Sequence, residues 1–550
     1  MSSMPGVRPT ARSVLGASWP ALVLATLVLV PFLDKAFTMD DPVFLREAEH
    51  ALVDPLHPTA FTMAWELVPQ RVSTIVPTGP VTAWLLVPTM LAGGDERVAH
   101  GTMLVLLWVA LLATVALAMH LGLSRGWAAA AGLLVAATPA VLGMTGTAMP
   151  DVPAMALAVL GIEQLVAWRQ EGRWRHGVAA FLVLGLAPMA RTHLVLLFGI
   201  GALLLVGDVF SRAAWRAVPW KRWLPLAAAP LVTLLVARVT ADPIGGPATI
   251  TGAATRFASV AGLANNTFAF LVHWVLALPL ALPWLSLRWK EMHHRLPLLA
   301  VALAAGLVMA RLARPLDPPW WLAPVAALGI AALADACLDG LRRRDGLQLT
   351  LWLWLLLALP TAIYIHLPSK YLLVSAPAAA ILVARRAAEA PRLGRAVVAI
   401  TTVAGVILGV AILRADAAFA GAGRTAARTL IAPQVAQGVR VWFAGHWGFQ
   451  WYAEQAGARF FPVRPPFPGD GDLVVVSANS EPHIVDAEME ALVPIGTTRI
   501  GGPGGRVMDK EAGAGFYSNG WGFLPWSWGR DFADAFSVTV VRHPPEGPGR

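Results

Sequence analysis

The chain has 550 residues, of which 57% are hydrophobic and only 14% charged. Soluble globular chains carry roughly a quarter charged residues, so the composition is that of a polytopic membrane protein. The formal net charge is +9, but the basic residues sit in short clusters between apolar runs, as topology signals do, and not as a nucleic-acid surface. Cys337 is the single cysteine, which excludes an intrachain disulfide framework.

In chain order, residues 1–13 are short and polar, with Arg8 and Arg12. An apolar run over 14–33 has spanning length and no clear small-residue cleavage site after it, so it reads as an uncleaved first span. The stretch Phe37 to Trp65, within an outer loop over 34–78, is acidic where its surroundings are apolar. Asp40 and Asp41 open it. After Pro42, Val43, Phe44, Ala48, Leu52 and Val53 fall near a 3.6-residue period, with Arg46, Glu47, Glu49 and His50 on the other face. The pattern predicts a short amphipathic helix at the membrane interface. Residues 79–92 are too short to cross unaided and read as a juxtamembrane or re-entrant piece.

Further spans are expected at 98–121, 127–146, 151–168, 176–190, 192–208, 222–239, 264–287, 296–312, 320–338, 349–366, 370–386 and 395–413, thirteen with the first. The loops this places with the N-terminus carry about twice the Lys and Arg of the opposite loops before residue 414, so the N-terminus is expected on the cytoplasmic side and the C-terminus outside. From Arg414 onward Gly, Pro and polar residues rise and no run can span. Residues 439–444, 472–478 and 537–541 are short strand patterns, with a helix expected over 447–457. The expected architecture is thus a transmembrane module over 1–413 and a small extracytoplasmic α/β domain over 414–550.

Ionisable residues at the edge of a membrane core need a reason. On the outer side they form a compact set: Asp40 and Asp41; Asp151 in TAMPDVPAM; Arg191 and His193 in APMARTHLVLL; Arg311, Arg314 and Asp317 before Trp320; Lys370 and Tyr371 in HLPSKYLLVSAP. Each also has a plain reading. Asp151 can cap its helix, with Pro153 just inside the start. Arg191 and Lys370 can anchor span ends by snorkelling, and a histidine such as His193 is usually packed or interfacial. No His/Cys cluster has zinc-ligand spacing, and no Walker loop or dinucleotide fingerprint is present. A divalent-metal requirement stays open.

The order of these parts resembles the GT-C superfamily of membrane glycosyltransferases, and within it family 39, which includes protein O-mannosyltransferases and the lipid A aminoarabinose transferase. The resemblance rests on MDDPVFLREAEHAL after the first span, MPDVPAM opening a later one, Arg191 in the outer turn of a hairpin, KYLLVSAP at a late span, and VWFAGHWGFQWYAEQAGARF in the tail. It departs in having Asp-Asp where Asp-Glu is common and Arg191 where Lys is frequent. The resemblance implies a GT-C-like membrane fold and a polyprenyl-phosphate sugar as donor. It further implies transfer to a glycan, lipid or protein acceptor at the outer face of a bacterial plasma membrane, with inversion at the sugar. Asp40, then Asp41, would act as general base, and Asp151 would position the acceptor or a cation. Arg191, Lys370, Tyr371, Arg311 and Arg314 would hold the donor phosphate, with His50 and His193 toward the acceptor. A transporter or flippase of a lipid-linked saccharide is the alternative, but no internal repeat is visible and the charges gather at one face.

Overall fold

The computed structural model describes residues 9–543 apart from 66–67, 76–77, 245–258, 279–280, 293–294, 314–317, 463 and 485. Eight helical stretches are long and apolar enough to cross a membrane: Ala11–Phe32, Glu96–His120, Asp151–Glu171, Trp220–Val239, Leu322–Arg343, Gly346–Ile363, Ser369–Glu389 and Pro391–Ala436. Two bent pairs raise the total to ten among the described residues, Arg125–Ala136 with Pro139–Thr145 and Val260–Leu276 with Ala281–Leu287. The chain is therefore a multi-pass membrane protein. The 58° bend in the first pair has a local cause: Pro139 has no N–H to give, and the Thr138 hydroxyl returns to the Leu134 carbonyl.

Thirteen spans were expected. Length and composition give eight to ten, because Trp174–Ala190, Thr192–Val206 and Leu296–Leu312 are short apolar helices. The break between the first two falls at Arg191. Pro188 removes a donor from the last turn, and Arg191 itself is extended, with φ −145° and ψ 119°.

The last helical stretch, Pro391–Ala436, has 46 residues, about 69 Å at the α-helical rise. It runs across residue 413, interrupted only by a π turn at Ala427–Ile431. A hydrocarbon core is about 30 Å thick, so this helix stands well clear of it and carries the tail. The tail holds a five-stranded mixed sheet in the order Arg459–Phe460, Val441–Ala444, Leu473–Ser477, Asp534–Val541, Leu492–Ile500. The first three strands are parallel, and Asp534–Val541 runs antiparallel to both its neighbours. The helix Trp447–Gln455 leaves one end of that sheet and packs on the Asp41–Ala51 helix.

That contact changes the interfacial helix from the one expected. Asp41 through Leu45, Glu47, Ala48 and Ala51 are all buried, so the helix is covered on more than one face. Glu47, expected on a polar face, is fully buried with neither carboxylate oxygen hydrogen-bonded, and burial raises its pKa well above the usual range. Leu52 and Val53, expected to pack, lie beyond the last helical turn and are exposed.

Three parts of the chain meet just before this helix. Lys35 Nζ pairs with Asp416 Oδ2 at 2.8 Å, with both side chains wholly buried. Asp416 also accepts from Tyr517 Oη at 2.9 Å and from Thr38 Oγ1 at 3.2 Å. The loop after the first span, the long helix and the tail are thereby tied at one point. The Phe37 N–H donates to Tyr452 Oη, and Gly448 sits against the Phe37 carbonyl so closely that a β-carbon there would overlap it. Removing one partner of a buried pair leaves an uncompensated charge, so Asp416→Ala is expected to cost about 3–5 kcal/mol, seen as a lower thermal midpoint in detergent. Lys35→Met combined with Asp416→Leu should recover most of that loss. An equal loss in the single and double variants would show that charge at this junction is immaterial.

Candidate functional site

Beyond the junction the two adjacent aspartates diverge. Asp41 is buried and accepts two backbone N–H groups at 2.8 Å, from Thr38 through Oδ2 and from Ala148 through Oδ1. It thus fixes the start of its helix onto the turn before Asp151. Burial pushes its carboxyl up to about 7, against the pull of Lys35 and these donors. Asp40 keeps an open side, its side chain 28% exposed. Its Oδ2 accepts from Lys370 Nζ at 2.8 Å. Burial disfavours its charged form, but the Lys370 ammonium outweighs that and holds the carboxyl below its usual range.

Lys370 comes from a different part of the chain. Residues Ser369–Ser375 form a tight 3₁₀ stretch opening the Ser369–Glu389 span. Tyr371, next in sequence, has two cations beside its ring, the Arg191 guanidinium carbon at 5.0 Å and Lys370 Nζ at 5.9 Å from its centroid. Arg191 Nη2 in turn donates to Asp151 Oδ2 at 2.8 Å. Asp151 is in the first turn of its helix but makes no cap bond of its own; its partner is Arg191. Four loops far apart in sequence therefore present two acid–base pairs joined through one phenol. The four meet where the first span finishes, Asp151–Glu171 begins, Trp174–Ala190 finishes and Ser369–Glu389 begins.

His193 joins this group, its ring 6.2 Å from that of Tyr371 and its Nε2 buried without a partner. His50 does not: it lies at the end of the interfacial helix against Phe61, ring centroids 5.2 Å apart. Arg311 is exposed at the end of the Leu296–Leu312 helix, and Arg314 and Asp317 lie outside the described residues. Among the described residues, no hydrogen bond or ion pair ties Arg311 or His50 to the group.

Two residues the motif reading passed over belong here. His366 stacks 6.2 Å from Tyr371 and 6.0 Å from Tyr364. Burial, reinforced by Lys370, pushes His366 down to about 3, so it is neutral at physiological pH. Burial also lifts the Tyr364 phenol to about 12. For His366 the signal was the HLPSKY stretch itself, where only its last two residues were weighed; Tyr364 lies two residues before it.

The loop bearing these side chains is held by the tail. Ser518 Oγ contacts His366 Nδ1 at 3.2 Å, and the Ser369 N–H donates to the Phe516 carbonyl. Asn519, fully buried, accepts from the Leu367 N–H at 2.8 Å and donates to Asn266 Oδ1 at 2.9 Å. Asn266 spends its own amide on the Ala362 and Tyr364 carbonyls. The tail and the Val260–Leu276 helix thus grip the loop before Lys370 from both sides.

No protein-family model matches the chain, and no curated protein matches it. Among solved structures it is similar to ArnT from Cupriavidus metallidurans bound to undecaprenyl phosphate, with 16% identity over 97% of this chain and 100% of that one and a TM-score of 0.48. It is also similar to the oligosaccharyltransferase of Archaeoglobus fulgidus in complex with Zn and sulfate, at 11% identity, 83% and 68% coverage and a TM-score of 0.42. A third is the arabinofuranosyltransferase AftD from mycobacteria, at 16% identity, 99% and 42% coverage and 0.42. All three scores fall below 0.5, so none assigns a fold or an activity.

Asn519→Ala would leave the Leu367 N–H and Asn266 Oδ1 buried without partners, a cost of about 1–3 kcal/mol. Hydrogen–deuterium exchange should show faster uptake in 364–370, with Leu322–Arg343 unchanged. Unaltered uptake in that loop would mean that the tail does not hold it.

Proposed function

We propose that the chain is a GT-C-type membrane glycosyltransferase, similar to family 39, which transfers a sugar from a polyprenyl-phosphate donor to an acceptor at the outer face of a plasma membrane. The observation that supports this best is the pairing Asp40–Lys370 and Asp151–Arg191 at one end of the helices. It combines an open carboxylate with two fixed cations where a lipid-borne phosphate would lie. The domains follow: 1–413 forms the catalytic module, and 414–550 forms an outer domain that supports its rim.

In this reading the acceptor hydroxyl gives its proton to Asp40 as its oxygen attacks the anomeric carbon. The bond from that carbon to the phosphate oxygen breaks, and the polyprenyl phosphate leaves with the electron pair. In-line displacement inverts the sugar. Lys370 and Arg191, both largely buried, face the charge developing on the leaving phosphate. Tyr371 keeps the two cations apart yet adjacent, and Asp151 orients Arg191. Asp41 is a structural acid, because both its oxygens are engaged by backbone N–H groups.

The resting pair also governs when the base can act. While Lys370 holds Asp40, the carboxylate is a weak proton acceptor. A donor phosphate that draws Lys370 to itself releases Asp40, so the base gains strength only with donor bound. His193 and His366, flanking Tyr371, would line the sugar's side of the pocket.

Asp40→Asn should reduce transfer by at least about 100-fold in proteoliposomes supplied with polyprenyl-phosphate sugars, within the range of losing a general base. Near-normal turnover in a folded Asp40→Asn protein would remove it from that role. The acid limb of kcat/KM reports the free enzyme's base and should lie below the ordinary carboxylate range. Lys370→Met removes the partner that lowers Asp40, so the limb should move to higher pH, along with a raised KM for donor. A limb that stays in place would dissociate Asp40 from the limb. Mass spectrometry of envelope glycans from a strain lacking the protein would identify the sugar and acceptor.

A further inference from the structure

A groove of about 610 Å³ runs between the Arg125–Ala136 helix and the start of the last long helix. Its mouth lies at the membrane surface opposite the candidate site. From Pro391, at the mouth, to Asp416 the helix rises about 37 Å at 1.5 Å per residue, more than a hydrocarbon core of about 30 Å. The other wall agrees: Glu96–His120 starts near the tail, where Glu96 accepts from Tyr452 Oη, and ends just before Ser124. No step of the proposed transfer uses this end of the bundle.

The walls are apolar, with Trp127 and Leu133 on one helix facing Val398 and Val403 on the other. The long helix then turns Ile400 and Ile407 outward as well, both exposed, so the groove opens onto a face that meets acyl chains. The mouth is different. Ser124 and Arg395 flank it, and both helices begin there. Neither start has a capping side-chain hydrogen bond, and neither has an acid in its first turn. Two helix N-termini therefore direct their partial positive charge to one place. Arg395 donates through Nε to the Pro391 carbonyl, and Arg392, one turn earlier, is exposed. The acids nearby are already engaged, Glu389 by Arg343 and Arg386, and Asp345 by Arg385. Among the described residues no carboxylate pairs with Arg392 or Arg395.

We propose that this groove binds one acidic phospholipid. Its phosphate would sit at the mouth between Arg392, Arg395 and the two helix starts, and an acyl chain would lie along the apolar walls. Charge complementarity selects the headgroup. A basic pocket between spanning helices favours a lipid with net negative charge. A zwitterionic lipid brings an ammonium group for which the mouth offers no carboxylate. The bound lipid would splint the foot of the long helix to Arg125–Ala136, at the end of the rod far from Asp416.

The test needs no turnover and is independent of the proposed transfer. The full chain, delipidated in a neutral detergent, is titrated with phosphatidylglycerol and separately with phosphatidylcholine, and bound lipid is counted by native mass spectrometry. One phosphatidylglycerol should bind at concentrations where phosphatidylcholine does not. Arg392→Gln and Arg395→Gln should each weaken that binding about fivefold, and together about 25-fold. Both side chains are exposed, so these variants should fold, and thermal midpoints without lipid check this. Ala399→Trp, at an exposed position on the groove wall, should displace the lipid with both arginines intact. Equal retention of the two lipids, or unchanged phosphatidylglycerol binding in the double arginine variant or in Ala399→Trp, would overturn the site and leave ordinary annular lipid.

Discussion

A buried ion pair, Lys35 with Asp416, is the constraint on which the rest of the structure rests. A lysine and an aspartate wholly removed from water are tolerated only as a satisfied pair, and here the satisfaction comes from three directions. Lys35 ends the turn after the first span, Asp416 belongs to the last helix, and Tyr517 and Thr38 fill the remaining acceptor positions. Because the charge cannot be left alone, these parts cannot separate without loss. Asp40 and Asp41 follow within a few residues, so their placement inherits the rigidity of that knot.

The same logic separates two acids that are neighbours in sequence and equal in chemistry. Asp41 is consumed by backbone donors and becomes part of the scaffold. Asp40 is offered to a cation and to solvent. The chain turns into the helix at Met39, which is in the left-handed region (φ 42°), and the Asp40 and Asp41 side chains then diverge as successive positions at a helix start do. The second pair repeats the theme: Asp151 opens a helix yet binds no backbone of its own, because Arg191 occupies it. With two cations matched by two carboxylates, the resting site is nearly neutral, which lessens the cost of keeping charges in a poorly solvated place.

Much of this was legible in the sequence, in the form of exceptions to apolarity. Asp40, Asp151, Arg191 and Lys370 each interrupt a greasy run, and the helix ends that carry them fall on one face. What was not legible is the tail's share. Ser518 and Asn519 lie about 150 residues from the loop they hold, and nothing local marks a serine or asparagine as a long-range partner. His366 was within a quoted motif but was outranked by the charged residue beside it. Glu47 was misread because helical periodicity assigns faces for a helix with one buried side, and this helix packs on both the Val81–Leu91 helix and the tail helix Trp447–Gln455. The span count differs because the apolar runs over 176–190, 192–208 and 296–312 form helices short of spanning length, and Pro139 bends the run over 127–146.

The last helix carries a mechanical consequence. A tail attached by a flexible tether could swing without disturbing the bilayer-embedded part. This one grows directly out of a spanning rod, with only a π turn along its way. Because the tail is also tied to the loop after the first span and to the loop before Lys370, a tilt of this rod is passed to those loops and not lost in a hinge. Helix tilt responds modestly to bilayer thickness, so the thickness of the membrane the rod crosses becomes one of the influences on the loops that carry Asp40 and Lys370.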